Sequence, residues 1–162
     1  MEEADLIKLR SIADYQFGRG AGKLLFPKSG RVVRSKRTGR MRYVYFKEQL
    51  LTTLRPTTGT FTLTPQGFRR LLKGFKPPHL RVMVQADVAS FIEDGCTVFA
   101  KHVMDADPEI RPRDEVAVST EGSDRLLAVG RAVLSGPEML AFERGVAVKI
   151  RRGAREKDEV QV

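Results

Sequence analysis

Five cations fall within nine residues of this chain: Arg34, Lys36, Arg37, Arg40 and Arg42. Guanidinium and ammonium groups at that density suit one chemistry above others. They neutralise a run of phosphates, and each contact releases counterions condensed on the polyanion. The run belongs to a longer one. No acid occurs between Asp14 and Glu48, a window that holds ten Lys and Arg residues. Such a block repels itself unless a polyanion compensates it. Tyr43 and Tyr45 lie beside it and offer flat rings for an unpaired base. Strand alternation, however, puts them on the face opposite Arg40 and Arg42, so they are expected to face the core.

Other chemistries find less support. The stretch Gly18 to Lys23 suggests a phosphate loop, but three residues rather than four separate Gly18 and Gly22, and Leu24 follows the lysine. A helix-terminating turn is the expectation there. His79 and His102 are the only histidines, and neither belongs to a Ser/His/Asp or Cys/His grouping with motif spacing. Cys96 is the single cysteine. It allows no intrachain disulfide and no cysteine-based zinc knuckle, and it is expected to be a small half-buried residue. Asp105, Asp107, Glu109, Asp114 and Glu115 are read as turn carboxylates rather than a Mg²⁺ site, with Asp105 and Asp107 capping the turn at Pro108. No catalytic residue, metal or cofactor is expected.

The elements that must position these residues follow from length and charge. The chain has 162 residues, 29 Lys/Arg and 20 Asp/Glu, a formal charge of +9. That length allows one medium domain or two small ones. Gly74 and the pair Pro77-Pro78 mark a boundary. Residues 1–78 hold 17 basic and 5 acidic side chains, a net +12, and residues 79–162 hold 12 and 15, a net −3. The acidic start does not read as a secretory signal, and no stretch approaches the ~18 apolar residues of a membrane helix. A reduced, soluble, cytoplasmic protein with no membrane partner is expected.

The fold class expected is α+β. In the first half, Leu6, Leu9, Ala13 and Phe17 define one helix face, ended by the glycines from Gly18. Arg31 to Ser35 and Arg40 to Phe46 read as strands joined by a hairpin at Lys36 to Gly39, with Gly39 at positive φ. Leu50 to Leu54 and Thr60 to Leu63 flank a second turn. Thr64 and Pro65 open a helix with Phe68, Leu71, Leu72 and Phe75 inward. The second half reads as a small β barrel with two short helices. Arg81 to Gln85 and Thr97 to Met104 are expected strands. Between them Asp87 caps a helix, with Val88, Phe91 and Ile92 inward and Gly95 as its stop. Glu115 to Thr120 and Arg125 to Leu134 form a hairpin. Ser135 and Glu138 have capping-box spacing for a helix running to Gly145. Val146, Val148 and Ile150 alternate in a last strand, and the charged tail from 154 is expected to fray.

Three segments carry a resemblance. Residues 95–116 (GCTVFAKHVMDADPEIRPRDEV), 126–134 (LLAVGRAVL) and 145–153 (GVAVKIRRG) resemble the PUA domain, a compact RNA-binding pseudobarrel. Arg113 departs from it, since the family usually has Gly in that turn. Residues 16–27, 35–45 and 54–64 are similar to the small domain preceding the PUA in archaeal archaeosine tRNA-guanine transglycosylases. The organisation implied is a basic α+β domain over 1–78, a PUA pseudobarrel over 79–153, and the tail 154–162. The resemblance implies an RNA groove at Gly95, Cys96, Lys101 and His102, with Arg151 and Arg152 as weaker candidates alongside Arg144. The transglycosylase's catalytic barrel and zinc site have no counterpart among these residues. The expected function is binding of tRNA or another structured RNA without catalysis. The alternatives are an RNA-modification enzyme or accessory subunit of a tRNA-modifying complex, and a ribosome-associated or translation factor. An RNA-modifying enzyme or a ribosomal subunit is the protein partner to expect.

Overall fold

The computed structural model describes residues 1–155. The chain divides into two compact units, Met1–Lys76 and the residues from Pro77 onward.

In the first unit, α1 (Glu3–Phe17) buries Leu6, Leu9, Ala13 and Phe17. Gly18, at φ 115°, ends it, and α2 (Ala21–Leu25) follows at once. The two helices meet so closely that a Cβ on Gly22 would stand 2.5 Å from the Cα of Arg10. The Gly22 N–H donates to Asp14 Oδ1 at 2.7 Å. The glycine run is therefore a helix–helix joint, with its amide turned to a carboxylate of its own chain.

Four antiparallel strands follow: β1 (Arg31–Arg34), β2 (Met41–Phe46), β3 (Gln49–Leu54) and β4 (Phe61–Leu63), in that spatial order. Lys47 and Glu48, both at positive φ, form the two-residue turn between β2 and β3, the backbone that a tight hairpin requires. Gln16 serves β4 as a substitute strand neighbour. Its amide donates to Phe61 O at 2.8 Å and accepts from Phe61 N at 2.7 Å. Helix α3 (Pro65–Leu72) is capped by Thr64, whose hydroxyl accepts from the Gly67 N–H at 3.1 Å. Phe68 and Leu71 are buried, whereas Leu72 and Phe75 are only half-buried because the helix stops at Leu72. An edge-on contact of Phe17 with Phe68 ties α1 to α3, and a tilted contact of Phe26 with Phe61 ties the end of α2 to β4.

The second unit has five α-helical residues in α4 (Ala89–Glu93) and six in α5 (Gly136–Ala141). Its strands are β5 (Arg81–Val84), β6 (Val98–Phe99), β7 (Val103–Ala106), β8 (Glu115–Thr120), β9 (Leu126–Ala132) and β10 (Val146–Gly153). They form one mixed sheet, ordered β6-β10-β9-β8-β5-β7, in which β5 and β8 are parallel and the other pairs antiparallel. β6 and β7 occupy opposite edges of this sheet, yet only the 3-10 turn Ala100–His102 separates them in the chain. Three residues cannot span an open sheet, so the two edges must approach, and the sheet is a nearly closed pseudobarrel. Its interior holds Val82, Val84, Val98, Val116, Val118 and Leu127.

Several expectations change here. The single strand expected from Thr97 to Met104 is two strands and a turn, because barrel closure forces the chain from one edge to the other. Asp87 caps nothing with its side chain, since it sits inside a 3-10 turn, Ala86–Val88, that leads into α4. Ile92 is buried, but Phe91 is 61% exposed. Helix α5, capped by Ser135 through the Glu138 N–H at 3.3 Å, stops at Ala141 rather than near Gly145. Cys96 is exposed, not half-buried. Ala154 and Arg155 are held rather than frayed: Ala154 N donates to Leu127 O at 2.8 Å, and Arg155 Nε meets Glu93 at 2.8 Å. Residues 156–162 of the expected tail lie outside the described residues. Arg113 keeps the backbone its glycine would have had, at φ 78°.

Candidate nucleic-acid interface

The hairpin between β1 and β2 turns over Ser35 to Arg40. Ser35 N donates to Arg40 O at 2.9 Å, Gly39 N donates to Ser35 O at 2.8 Å, and Gly39 takes φ 68°. The loop between β3 and β4 repeats this turn. Arg55 N donates to Thr60 O at 2.9 Å, Gly59 N donates to Arg55 O at 2.9 Å, and Gly59 also takes φ 68°. Each carries a Thr-Gly pair at the same place, Thr38-Gly39 and Thr58-Gly59.

Residues of both turns, together with Asp5 and Lys8 of α1, line a groove of about 530 Å³. Its cations are Lys8, Arg34, Arg37, Arg40, Arg42 and Arg55, and Asp5 is its one acid. That acid is already engaged. Arg34 Nη2 donates to both Asp5 oxygens at 2.6 Å, and Arg34 Nη1 donates to Gly39 O at 3.0 Å. Arg34 thus braces the hairpin on α1, and the field of Lys8, Arg37 and Arg40 is left uncancelled. Lys8, Arg37 and Arg40 have no ion pair among the described residues.

Four of the five expected hairpin cations therefore come together: Arg34, Arg37, Arg40 and Arg42. Lys36 is exposed on the turn but outside the groove. Lys8 and Arg55 are additions. Each had a signal. Lys8 follows Asp5 by three residues on one helix face, and Arg55 opens the second Thr-Gly turn.

The tyrosines require a correction. Val44, 1% exposed, takes the core position on β2 opposite the buried Thr52. Tyr43 and Tyr45 are half-buried and alternate away from that position. The guanidinium of Arg42 lies 5.4 Å from the centroid of Tyr43, and that of Arg31 lies 4.7 Å from Tyr45. The rings orient arginines by cation–π attraction instead of filling the core.

In the second unit, Gly95 ends α4 at φ 96° and donates to Ile92 O at 3.0 Å. Cys96 follows it with an exposed thiol, and its N–H donates to Phe91 O. Lys101 is exposed on the 3-10 turn between β6 and β7. Beside it, His102 Nδ1 stands 3.3 Å from Gln85 Oε1. Arg151 is committed elsewhere. Its guanidinium makes a two-pronged pair with Glu115 at 2.8 and 2.6 Å, and that carboxylate is only 4% exposed. Arg152 is half-buried, and Arg144 is exposed. Among the described residues, no group of three or more His, Cys, Asp or Glu is placed to hold a metal ion, and no helix is long and apolar enough to cross a membrane.

Comparison with known proteins agrees with this two-part architecture. Residues 8–78 match the patch-forming domain C2 of tRNA-guanine transglycosylase, and residues 80–154 match the PUA domain. The tRNA-guanine(15) transglycosylase of Methanothermobacter thermautotrophicus is 43% identical over 149 residues, which are 92% of this chain and 23% of that protein. That of Pyrococcus abyssi is 46% identical over 143 residues, 88% of this chain and 24% of the relative. The chain thus spans about a quarter of the length of the curated relatives it matches. Among solved structures, a hypothetical protein from Pyrococcus horikoshii shares the fold with a TM-score of 0.76 at 24% identity, covering 97% of this chain and 94% of its own. A PUA domain protein from Thermoplasma acidophilum does so with a TM-score of 0.64 at 20% identity, over 96% and 91%.

Proposed function

We propose that this chain, a transglycosylase-type C2 domain followed by a PUA domain, binds structured RNA, with tRNA foremost, and that these two domains catalyse nothing themselves. The observation that carries the reading is the groove of the first unit. Six cations converge there around one carboxylate that is already neutralised, and phosphate is the ligand such a surface favours. The relatives support tRNA as the polyanion, because they are named for a reaction on tRNA. The second unit adds the stretch from Gly95 to His102, where a glycine leaves the backbone open to close approach and Lys101 reaches solvent.

The test is tRNA binding by the full chain carrying Lys36→Glu, Arg37→Glu and Arg40→Glu, followed by gel shift at moderate salt. The expected result is a loss of affinity of more than tenfold with the circular dichroism spectrum preserved. Unchanged affinity would remove the hairpin from the interface.

A further inference from the structure

The groove of the first unit holds more than cations. Met41, Leu54 and Pro56 also line it. Phosphates and sugars of a paired helix have no use for an apolar floor, since covering it with charged oxygens desolvates them without return. A flat apolar group gains from that floor, and a base that has left its helix is such a group with a phosphate on either side. The volume, about 530 Å³, lies in the range of roughly 300–1,000 Å³ typical of small-molecule sites, enough for one nucleotide. The walls are set in advance: Arg34 is fixed by Asp5 and Gly39, and Arg42 is held over Tyr43. Arg37 and Arg40 stand on the rim without ion pairs among the described residues.

We infer that this groove is a seat for a single unpaired nucleotide of the bound RNA. The base rests on Met41, Leu54 and Pro56, and the flanking phosphates meet Arg37, Arg40 and Lys8. The inference rests on the RNA-binding reading and adds to it a preference for RNA with an extruded or unpaired base over continuous duplex.

The experiment compares two hairpin RNAs that differ by one unpaired nucleotide in the stem, titrated against the full chain at equal salt. About a tenfold preference for the interrupted stem is expected, the order that burying part of one base face against apolar side chains supplies. Met41→Gln with Leu54→Asn, which keep size and remove the apolar floor, should abolish the preference. A 4-thiouridine at the unpaired position, irradiated with the unaltered protein, supplies a measurement independent of whether that variant folds. Its crosslinks should map to peptides carrying Met41 or Leu54. Equal affinity for the two stems, or crosslinks confined to other peptides, would overturn the nucleotide seat while leaving RNA binding intact. So would competition by polyglutamate as strong as by RNA. Failure to bind either stem would instead overturn the reading beneath it.

Discussion

The two units use arginine in opposite ways. In the pseudobarrel it is paired with one partner buried, the acid at Glu115 and Glu93 and the guanidinium at Arg81. Glu115 clamps Arg151, Glu93 receives both Arg125 and Arg155, and Asp124 takes the fully buried Arg81 in two bonds. Those cations are part of the scaffold. In the first unit Arg31 meets Glu48 and Arg34 meets Asp5, whereas Lys8, Arg37 and Arg40 have no ion pair among the described residues and line a groove. A net charge of +9 therefore understates what a polyanion would meet at the first unit, because residues 1–78 carry +12 and residues 79–162 carry −3. Charge counts locate a candidate interface only after the internal pairs are subtracted.

That contrast can be broken in several places. The largest effect is expected at Arg151→Ala, which takes two charge-assisted hydrogen bonds from the buried carboxylate of Glu115. The cost should be about 3 kcal/mol, read from urea melts, against less than about 0.5 kcal/mol for Arg37→Ala on the open groove. Equal costs would erase the distinction. Arg34 is the intermediate case, a groove cation that also serves structure. Arg34→Ala should destabilise by about 1–2 kcal/mol through the unpaired Asp5, and its RNA affinity, measured below its melting range, should fall less than that of Arg40→Glu. The smallest effect concerns backbone in place of charge. Arg113 takes φ 78°, a conformation costing an L-residue on the order of 1 kcal/mol. Arg113→Gly should raise the thermal midpoint slightly, by the part of that strain which exceeds the added chain entropy of glycine. A fall in the midpoint would show the arginine side chain to be holding the turn.

What the sequence made legible was local. The stripe Leu6, Leu9, Ala13 and Phe17, the caps at Thr64 and Ser135, and the left-handed glycines at 39 and 95 each depend on neighbours a few residues away. The PUA segments were legible through resemblance. The split of Thr97 to Met104 was not, because nothing within eight residues records that the sheet must close on itself. The turn at Lys47 and Glu48 lacks the Asn-Gly or Asp-Gly signal of its type. Period-two alternation separates Tyr43 and Tyr45 from Val44 but does not say which of the two faces is the core, and the bulge that leaves Arg42 unpaired with β1 breaks it before the hairpin. Arg151 looked available because its partner, Glu115, is 36 residues away. Lys8 joins the hairpin cations only once α1 is laid beside the sheet.

The central claim is that the first unit supplies the electrostatic attraction and the pseudobarrel supplies placed contacts. The slope of log affinity against log salt, measured for tRNA with the full chain, tests it most directly. Removing one phosphate-contacting cation lowers that slope by about 1. Replacement of Lys36, Arg37 and Arg40 by glutamate should therefore flatten the slope by roughly 3 if all three meet phosphates. Lys101→Glu should change it by about 1 or less. Equal flattening by the two variants, or a larger change from Lys101→Glu, would contradict the account.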